Sequence, residues 1–330
     1  MNILKNKSLL VTGGTGSFGK AFLHYIIKKK FKLKRLVIFS RDEFKQDELR
    51  KKYDTKKYKF IRYFIGDIRD KDRLSFALED IDYVIHAAAM KQVPTSEYNP
   101  FECIKTNVIG AQNLIETSLQ KNVKKIIALS TDKAAAPINL YGASKLCSDK
   151  LFVAANNFTG KKNIIFSIVR YGNVMGSRGS VIPLFLKQKK NNEITITDKR
   201  MTRFNILLED SIQMVLWSLQ NSIGGEILVP KIPSVRITDL ARVIAPHSRI
   251  KIIGTRPGEK IHEELITKSD SNNTYDIGKY YTIVSDDYIK KFKKKFPKAK
   301  KVGSDFNYTS GTNKKFLNKN EISRMLKHLQ

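Results

Sequence analysis

The sequence predicts an α/β fold: a doubly wound parallel sheet followed by a smaller C-terminal α/β part. Three observations carry this expectation. Short β-prone runs alternate with helix-period segments from residue 8 to residue 158, the pattern of βαβ units in a parallel sheet. The first run ends in Gly13-Gly14-Thr15-Gly16-Ser17-Phe18-Gly19, a glycine turn that opens into a helix. After Val169 the alternation stops, and glycine-punctuated loops and short strands take over. The expected division is a nucleotide-binding domain at 1–175, with return elements at about 200–232, and a smaller substrate-binding part at 176–199 and 233–330.

The first strand covers residues 8–12 and the helix after the turn covers 20–30. Gly13 allows the tight turn, Gly16 lets backbone N–H groups approach a pyrophosphate, and Gly19 lets helix and strand pack closely. The helix N-terminus then faces the phosphates. Residues 35–40 form the second strand, whose end selects the dinucleotide. It ends in Ser40-Arg41, and a guanidinium suits the 2′-phosphate of NADP; Asp42 keeps NAD as the alternative. Lys45 is either a second cation there or a solvated lysine. Residues 59–65 form the third strand, followed by Gly66-Asp67-Ile68. Asp67 either accepts from an adenine amino group, with Ile68 on the ring, or caps the helix at 72–78.

The fourth strand, 83–85, ends in His86-Ala87-Ala88-Ala89, where small side chains leave room for ribose and nicotinamide. His86 reads as a packed strand residue. Residues 90–94 form a loop over the cleft, with Lys91 in reach of a substrate phosphate or hydroxyl. A long helix spans 99–120, with Asn107 on its cleft side, and the fifth strand spans 124–128. Leu129-Ser130-Thr131-Asp132-Lys133 follows, and then a helix at 141–158. Tyr141 and Lys145 lie four apart on that helix and share a face, so the ammonium lowers the phenol's pKa. A base, two acids and a hydroxyl (Thr131) thus converge on one segment. A Tyr-x-x-x-Lys pair alone is common in a lysine-rich chain, and the glycine turn upstream gives this one meaning.

Residues 163–169 form the sixth strand, and 170–176 a glycine-rich loop at the cleft. Residues 177–183 lead into a helix, and 193–198 alternate as a short strand. Residues 204–208 and the helix through 221 are expected to return to the main sheet. Strand, helix and strand follow at 224–231, 237–244 and 249–253. The loop Gly254-Thr255-Arg256-Pro257-Gly258-Glu259-Lys260 either clamps a diphosphate or is a charged surface turn. The charged tail after Asp286 is helical at 321–329.

At 330 residues and 41% hydrophobic content the chain has ample core, so wholesale disorder is excluded. No apolar run approaches the roughly 18 residues of a spanning helix, and no signal peptide fits the start. Cys103 and Cys147 read as buried reduced thiols, which places the chain in the cytoplasm. The net charge of +30 is dispersed, and no aromatic platforms alternate with it, which argues against nucleic acid. The one dense run, KKFKKKFPKAKK at 290–301, leaves transient contact with anionic lipid open. A structural nucleotide holder using that tail on RNA or membrane is a distant alternative to an enzyme.

TGGTGSFGK, FSRDE, YFIGDIRDKDRLS, IHAAAMKQVP, LSTDKAAAPINLYGASK, RYGNVMGSRGSV, ITDKRMTRF and RPGEKIHE together resemble extended short-chain dehydrogenases acting on nucleotide sugars. The resemblance narrows to the C5-inverting UDP-N-acetylglucosamine 4,6-dehydratases of pseudaminic acid synthesis. TDKA is specific to them, since retaining dehydratases carry Asp-Glu there. Gln92 stands where the family more often has His, and the segment after Val181 is slightly short. The resemblance implies a Rossmann domain holding recycled NADP with Gly13, Thr15, Gly16, Ser17, Phe18, Gly19, Ser40, Arg41, Lys45, Asp67, Ile68, Ala87, Ala88, Ala89, Asn107, Leu129, Ser130, Tyr141 and Lys145. It implies Tyr141 and Lys145 for the hydride step at C4, Thr131 on the 4-oxygen, Lys133 as the C5 base and Asp132 as the acid for water loss. A basic lysine needs a lowered pKa, and burial, Lys91, Lys145 and the phosphates pull in opposing directions. Lys91, Asn173, Val181, Thr197, Arg256 and Glu259 would contact the UDP-sugar, and no metal is implied. The resemblance also implies a homo-oligomer, a dimer or hexamer, pairing the helices at 99–120 and 141–158. A retaining 4,6-dehydratase or a 4-epimerase on the same scaffold is the alternative.

Overall fold

Six apolar runs form parallel strands: β1 (Ser8–Thr12), β2 (Arg35–Ser40), β3 (Ile61–Ile65), β4 (Tyr83–His86), β5 (Lys125–Thr131) and β6 (Ile165–Tyr171). The computed structural model describes residues 3–177 and 179–327. The strands run in the order β3-β2-β1-β4-β5-β6, all parallel. Both faces of the sheet are covered, which is why the strands read as continuous rather than alternating hydrophobic runs. One face packs on Ser17–Lys28 and Leu208–Asn221 through Phe22, Ile26, Ile212 and Val215. The other packs on Lys71–Ala77, Gly110–Gln120 and Leu140–Ala154 through Leu74, Leu114 and Phe152. Arg178, in the segment expected to lead into a helix, and Leu329, in the expected terminal helix, lie outside the described residues; the terminal helix is described as Lys319–Lys327.

Beyond β6 the sheet gains Glu226–Pro230 in parallel, then Tyr280–Val284, Thr274–Asp276 and Lys300–Lys301, which pair antiparallel. Residues 233–330 were expected in the smaller part, yet these three strands extend the main sheet. Glu226–Pro230 occupies the outer edge of β6, so the segment expected to return at 204–208 cannot. Thr202–Ile206 instead pairs with Asn173–Val174 and Ser234–Arg236 in a separate three-stranded sheet. Glu193–Ile196 and Arg249–Ile252 form a parallel pair. These elements and the helices Val181–Gln188, Ile237–Ile244 and Lys319–Lys327 enclose a second core around Phe185, Ile194, Leu240 and Ile322.

The long helix expected at 99–120 begins at Pro100, and its middle, Lys105–Ile109, is a π-helical turn. The helix expected at 141–158 is α-helical at Leu140–Ala154 and ends in a 3₁₀ turn, Ala155–Phe158. Cys103 is buried, but Cys147 is exposed, so the expectation of two buried thiols holds for one of them.

Between β5 and the helix Leu140–Ala154 the chain makes a 3₁₀ turn, Asp132–Ala134. Asn139 caps the helix by accepting from Gly142 N at 2.8 Å. The helix then meets the turn so closely that a Cβ on Gly142 would lie 2.2 Å from Lys133 O. Only glycine admits this approach, which fixes the distance between the strand end and the helix. Gly142→Ala should therefore lower the stability of the folded chain by about 1–3 kcal/mol, as overpacking does. Denaturant unfolding measures this, and an unchanged midpoint would show that the turn can yield.

Candidate active site

The turn after β1 is built from backbone contacts that side chains would block. Gly13 has φ +63, and a Cβ there would lie 2.9 Å from the backbone of Ala87 and Ala88. A Cβ on Gly19 would come within 2.3 Å of Gly14 O, so the helix Ser17–Lys28 presses directly on the turn. Gly16 is the N-cap, and no side chain caps that helix. A helix N-terminus behind a glycine turn fits the pyrophosphate of a dinucleotide. Thr12 Oγ1 accepts from Ala87 N at 3.1 Å and Ala88 N at 3.2 Å and bonds His86 Nδ1 at 2.8 Å, fastening the end of β4 to that of β1. Thr15 is buried; Phe18 turns into the core and stacks on Phe22. Ala87 and Ala88 are half-buried and Ala89 exposed, small side chains in a row at the cleft.

At the end of β2, buried Ser40 accepts from Gln46 Nε2 at 3.1 Å. Asp42 caps the helix Glu43–Lys52, accepting from Lys45 N at 2.9 Å, and forms an ion pair with Lys45 Nζ. Its carboxylate is thus engaged by the cap and by Lys45. The Arg41 guanidinium is 56% exposed and 3.4 Å from Asp67 Oδ2. Asp67 does not cap the next helix; Asp70 does, by accepting from Arg73 N at 2.9 Å. Asp67 is gripped by Arg69, through N at 2.9 Å, Nε at 3.0 Å and a terminal nitrogen at 2.7 Å. Burial would raise its carboxyl, but Arg69 and Arg41 hold it below the usual range. Ile68 is buried against Gly110.

Asn107 sits in the π turn and holds the loop after β4. Its Oδ1 accepts from Met90 N at 2.8 Å, and its Nδ2 donates to Met90 O at 2.9 Å and Ser144 Oγ at 2.9 Å. It therefore braces the loop that carries Lys91 and Gln92. Such π turns recur at functional sites. Leu129 is half-buried, and Ser130 Oγ donates to Asp149 Oδ2 at 2.7 Å.

At the end of β5 the expected catalytic groups meet. Thr131 Oγ1 donates to Asp132 Oδ1 at 2.9 Å, and Lys133 Nζ donates to the same oxygen at 3.1 Å. Asp132 is fully buried, and its Oδ2 has no hydrogen-bond partner. Lys133 Nζ also lies 3.2 Å from Glu263 Oε1, and Arg203 Nε lies 3.7 Å from that oxygen. Glu263 and Arg203 were given no role from sequence, although each lies in a quoted motif, RPGEKIHE and ITDKRMTRF. Burial pushes the Asp132 carboxyl up, opposed by Lys133 and reinforced by Glu263. Burial alone would lower Lys133, but the carboxylates of Asp132 and Glu263 outweigh it and hold the ammonium above the usual lysine range. Burial pushes the Tyr141 phenol up to about 12, while the Lys133 charge and a hydrogen bond with Thr131 draw it down. Lys133 thus exerts the pull that the helix spacing had assigned to Lys145. Lys145 is buried, lowered by burial and raised by Asp149, and its charge bears on His86. Asp149 accepts from Arg170 at 3.2 Å, and Arg170 reaches Asp270 at 3.6 Å.

The loop at 254–260 docks on this turn. Asn139 Nδ2 donates to Gly258 O at 2.8 Å, and Lys260 Nζ donates to Ala135 O at 2.6 Å. Arg256 is exposed, and its backbone N–H donates to Glu259 Oε2 at 3.4 Å. Lys91 is lowered by burial and by the Lys133 charge, which places it near the same group. Thr197 Oγ1 donates to Met201 Sδ at 2.8 Å, and the same sulfur accepts from Arg203 at 3.5 Å. Asn173 pairs with Asn205 in the smaller sheet, and Val181 begins the helix Val181–Gln188. Among the described residues no group of three or more His, Cys, Asp or Glu could hold a metal ion.

The family model described as polysaccharide biosynthesis protein matches residues 9–285. A UDP-N-acetylglucosamine 4,6-dehydratase (inverting) from Campylobacter jejuni subsp. jejuni is 49% identical over 336 residues, covering 99% of this chain and 99% of that protein. The X-ray structure of Pen from Bacillus thuringiensis has a TM-score of 0.90 and 38% identity, covering 99% of both chains. DesIV, a dTDP-glucose 4,6-dehydratase from Streptomyces venezuelae solved with NAD bound, has a TM-score of 0.68 and 22% identity, covering 77% of this chain and 86% of that one; it shares the fold.

His86 supplies a test of how dry the site is. Burial, helped by Lys145, pushes its imidazole down to about 3, so it stays neutral when folded. The unfolded chain binds that proton near pH 6.5, so this stability is present above about 6.5 and lost as pH falls from there toward 3. Between about pH 7 and about pH 5 the folded chain should lose roughly 2 kcal/mol that a His86→Gln variant keeps. Urea unfolding of both proteins at the two pH values measures it.

Proposed function

The chain belongs to the polysaccharide biosynthesis protein family, and on that premise we propose that it is a UDP-N-acetylglucosamine 4,6-dehydratase that inverts C5. The observation that carries the reading is a lysine, Lys133, hydrogen-bonded at 3.1 Å to a buried carboxyl, Asp132, within electrostatic reach of the Tyr141 phenol. A retaining dehydratase or an epimerase has no use for an amine there.

A nicotinamide dinucleotide, when bound, supplies the hydride acceptor for C4 and later the donor for C6. The glycine turn and the uncapped helix behind it fit its pyrophosphate, and exposed Arg41 beside an engaged Asp42 favours NADP over NAD. Tyr141, as phenolate, takes the proton of the sugar 4-hydroxyl, and Thr131 hydrogen-bonds the 4-oxygen. The resulting 4-ketone acidifies the C5 proton. The Lys133–Asp132 pair holds one proton between them, and its passage from Nζ to Oδ1 leaves an amine and a carboxylic acid. Lys133 then takes the C5 proton, and the electron pair moves toward the ketone oxygen. Asp132 gives its proton to the leaving 6-hydroxyl, which departs as water, and the pair returns to ammonium and carboxylate. A solvent-derived proton adds to C5 from the opposite face. The product is UDP-2-acetamido-2,6-dideoxy-β-L-arabino-hexos-4-ulose, the first intermediate of pseudaminic acid synthesis.

Lys91, Arg256 and Glu259, on loops that meet the catalytic turn, hold the UDP-sugar in this reading, with Asn173, Val181 and Thr197 from the smaller part. A cytoplasmic homo-oligomer fits as well. The helix that carries Asn107 leaves Phe101 62% and Ile109 48% exposed, as a face for a second copy. No described helix is long and apolar enough to cross a membrane.

Incubation with UDP-N-acetylglucosamine in deuterated water, followed by NMR, tests the reaction. The expected product carries deuterium at C5 with inverted configuration; a retained C5 rules the assignment out. Lys133→Ala should reduce dehydration about 100- to 10,000-fold, the usual worth of a general base. Full turnover by that variant would point to an epimerase.

A further inference from the structure

A buried acid without a part in those steps touches the proposed base. Glu263 is 3% exposed at its side chain and touches both Lys133 and Arg203 through Oε1. Its backbone is fixed on both sides by one residue: Glu263 N donates to Ser310 Oγ at 2.9 Å, and Ser310 N donates to Glu263 O at 2.8 Å. Ser310 is itself buried and bonded to Thr202. A carboxylate mounted this rigidly, out of water, at hydrogen-bond distance from the proposed base is more than a surface ion pair.

We propose that Glu263 is a positioning residue for the C5 step: it aims the Lys133 amine and stabilises the ammonium as it forms, while Arg203 keeps Glu263 from taking the proton itself. This rests on the dehydratase reading and deepens it. Two carboxylates flank Lys133, and they are not equivalent. Among the described residues Lys133 is the cation paired with Asp132, and burial raises the Asp132 carboxyl toward holding a proton. Glu263 faces Lys133, Arg203 and Lys260, whose charges outweigh burial and keep it ionised. The proton that leaves Lys133 therefore goes to Asp132, the group that must later release it to the 6-hydroxyl. When the amine takes the C5 proton, the new positive charge appears beside a carboxylate already in place. The remaining groups facing Lys133 are Tyr141 from the helix and Lys91 from the loop after β4. By the C5 step Tyr141 has taken the proton of the 4-hydroxyl and Lys91 bears no negative charge, so Glu263 supplies the constant negative charge beside the amine.

The test compares wild type, Glu263→Gln and Glu263→Asp on UDP-N-acetylglucosamine. Glu263→Gln should lower kcat roughly 10- to 100-fold with KM little changed, less than the loss of the base itself. The isotope effect from deuterium at C5 should rise in that variant, and that from deuterium at C4 should not, because only the C5 step is slowed. Removing a negative charge lowers the pKa of both Lys133 and Asp132, so the pH–rate profile should move to lower pH. Glu263→Asp keeps the charge, and should keep the profile in place while recovering part of the rate. A profile that stays put in Glu263→Gln, or a C5 isotope effect no larger than in wild type, overturns the proposal. Should Glu263→Gln fail to fold, Arg203→Gln takes its place: loss of the guanidinium should move the profile to higher pH, and an unmoved profile is again fatal. Wild type that turns over without inverting C5 would instead remove the dehydratase reading beneath, a separate and visible outcome.

Discussion

A half-buried ammonium and two buried carboxylates stand together at the end of β5, and the rest of the site follows from keeping them paired. A buried charge is tolerated only with a partner close by, and an orphaned one costs several kcal/mol. Lys133 and Asp132 are neighbours in the chain, but Glu263 and Arg203 arrive from the smaller part. The catalytic turn is therefore complete only when that part is docked. The hydrogen bonds from Asn139 to Gly258 O and from Lys260 to Ala135 O dock it. Gly142 meets the same constraint from the other side, letting the helix with Tyr141 and Lys145 close on the turn.

The nucleotide cleft obeys a related rule, with backbone in place of charge. Gly13, Gly14 and Gly19 let three chain segments touch without side chains between them. Thr12 binds the end of β4 to the end of β1, and Asn107 fixes Met90 one step further along. Each polar side chain here satisfies backbone groups that a strand end would otherwise leave unpaired.

Much of this was legible before any coordinates. Strands β1 to β6 lay within two or three residues of their expected places, because a strand buried on both faces is an unbroken apolar run between turn residues. The glycine turn and the Asp132-Lys133-Tyr141 group were visible because their chemistry is local. What stayed hidden was long-range. Tyr280–Val284 alternates buried and half-buried residues over only five positions, beside a lysine-rich run that masks it. Glu263 is one acid in a charged segment, and only the folded chain brings it to Lys133 across 130 positions of sequence. The pull of Lys133 on the Tyr141 phenol was hidden for the same reason: sharing a helix face with Lys145 does not tell how near a lysine from another segment comes.

The outermost strand of the sheet, Lys300–Lys301, belongs to the basic run that first raised the question of polyanions. Its free side offers unpaired backbone groups that a passing strand could join. Two exposed lysines there make a second copy of the same edge electrostatically unwelcome. Like-charge repulsion thus screens this border of the sheet against a second copy of itself.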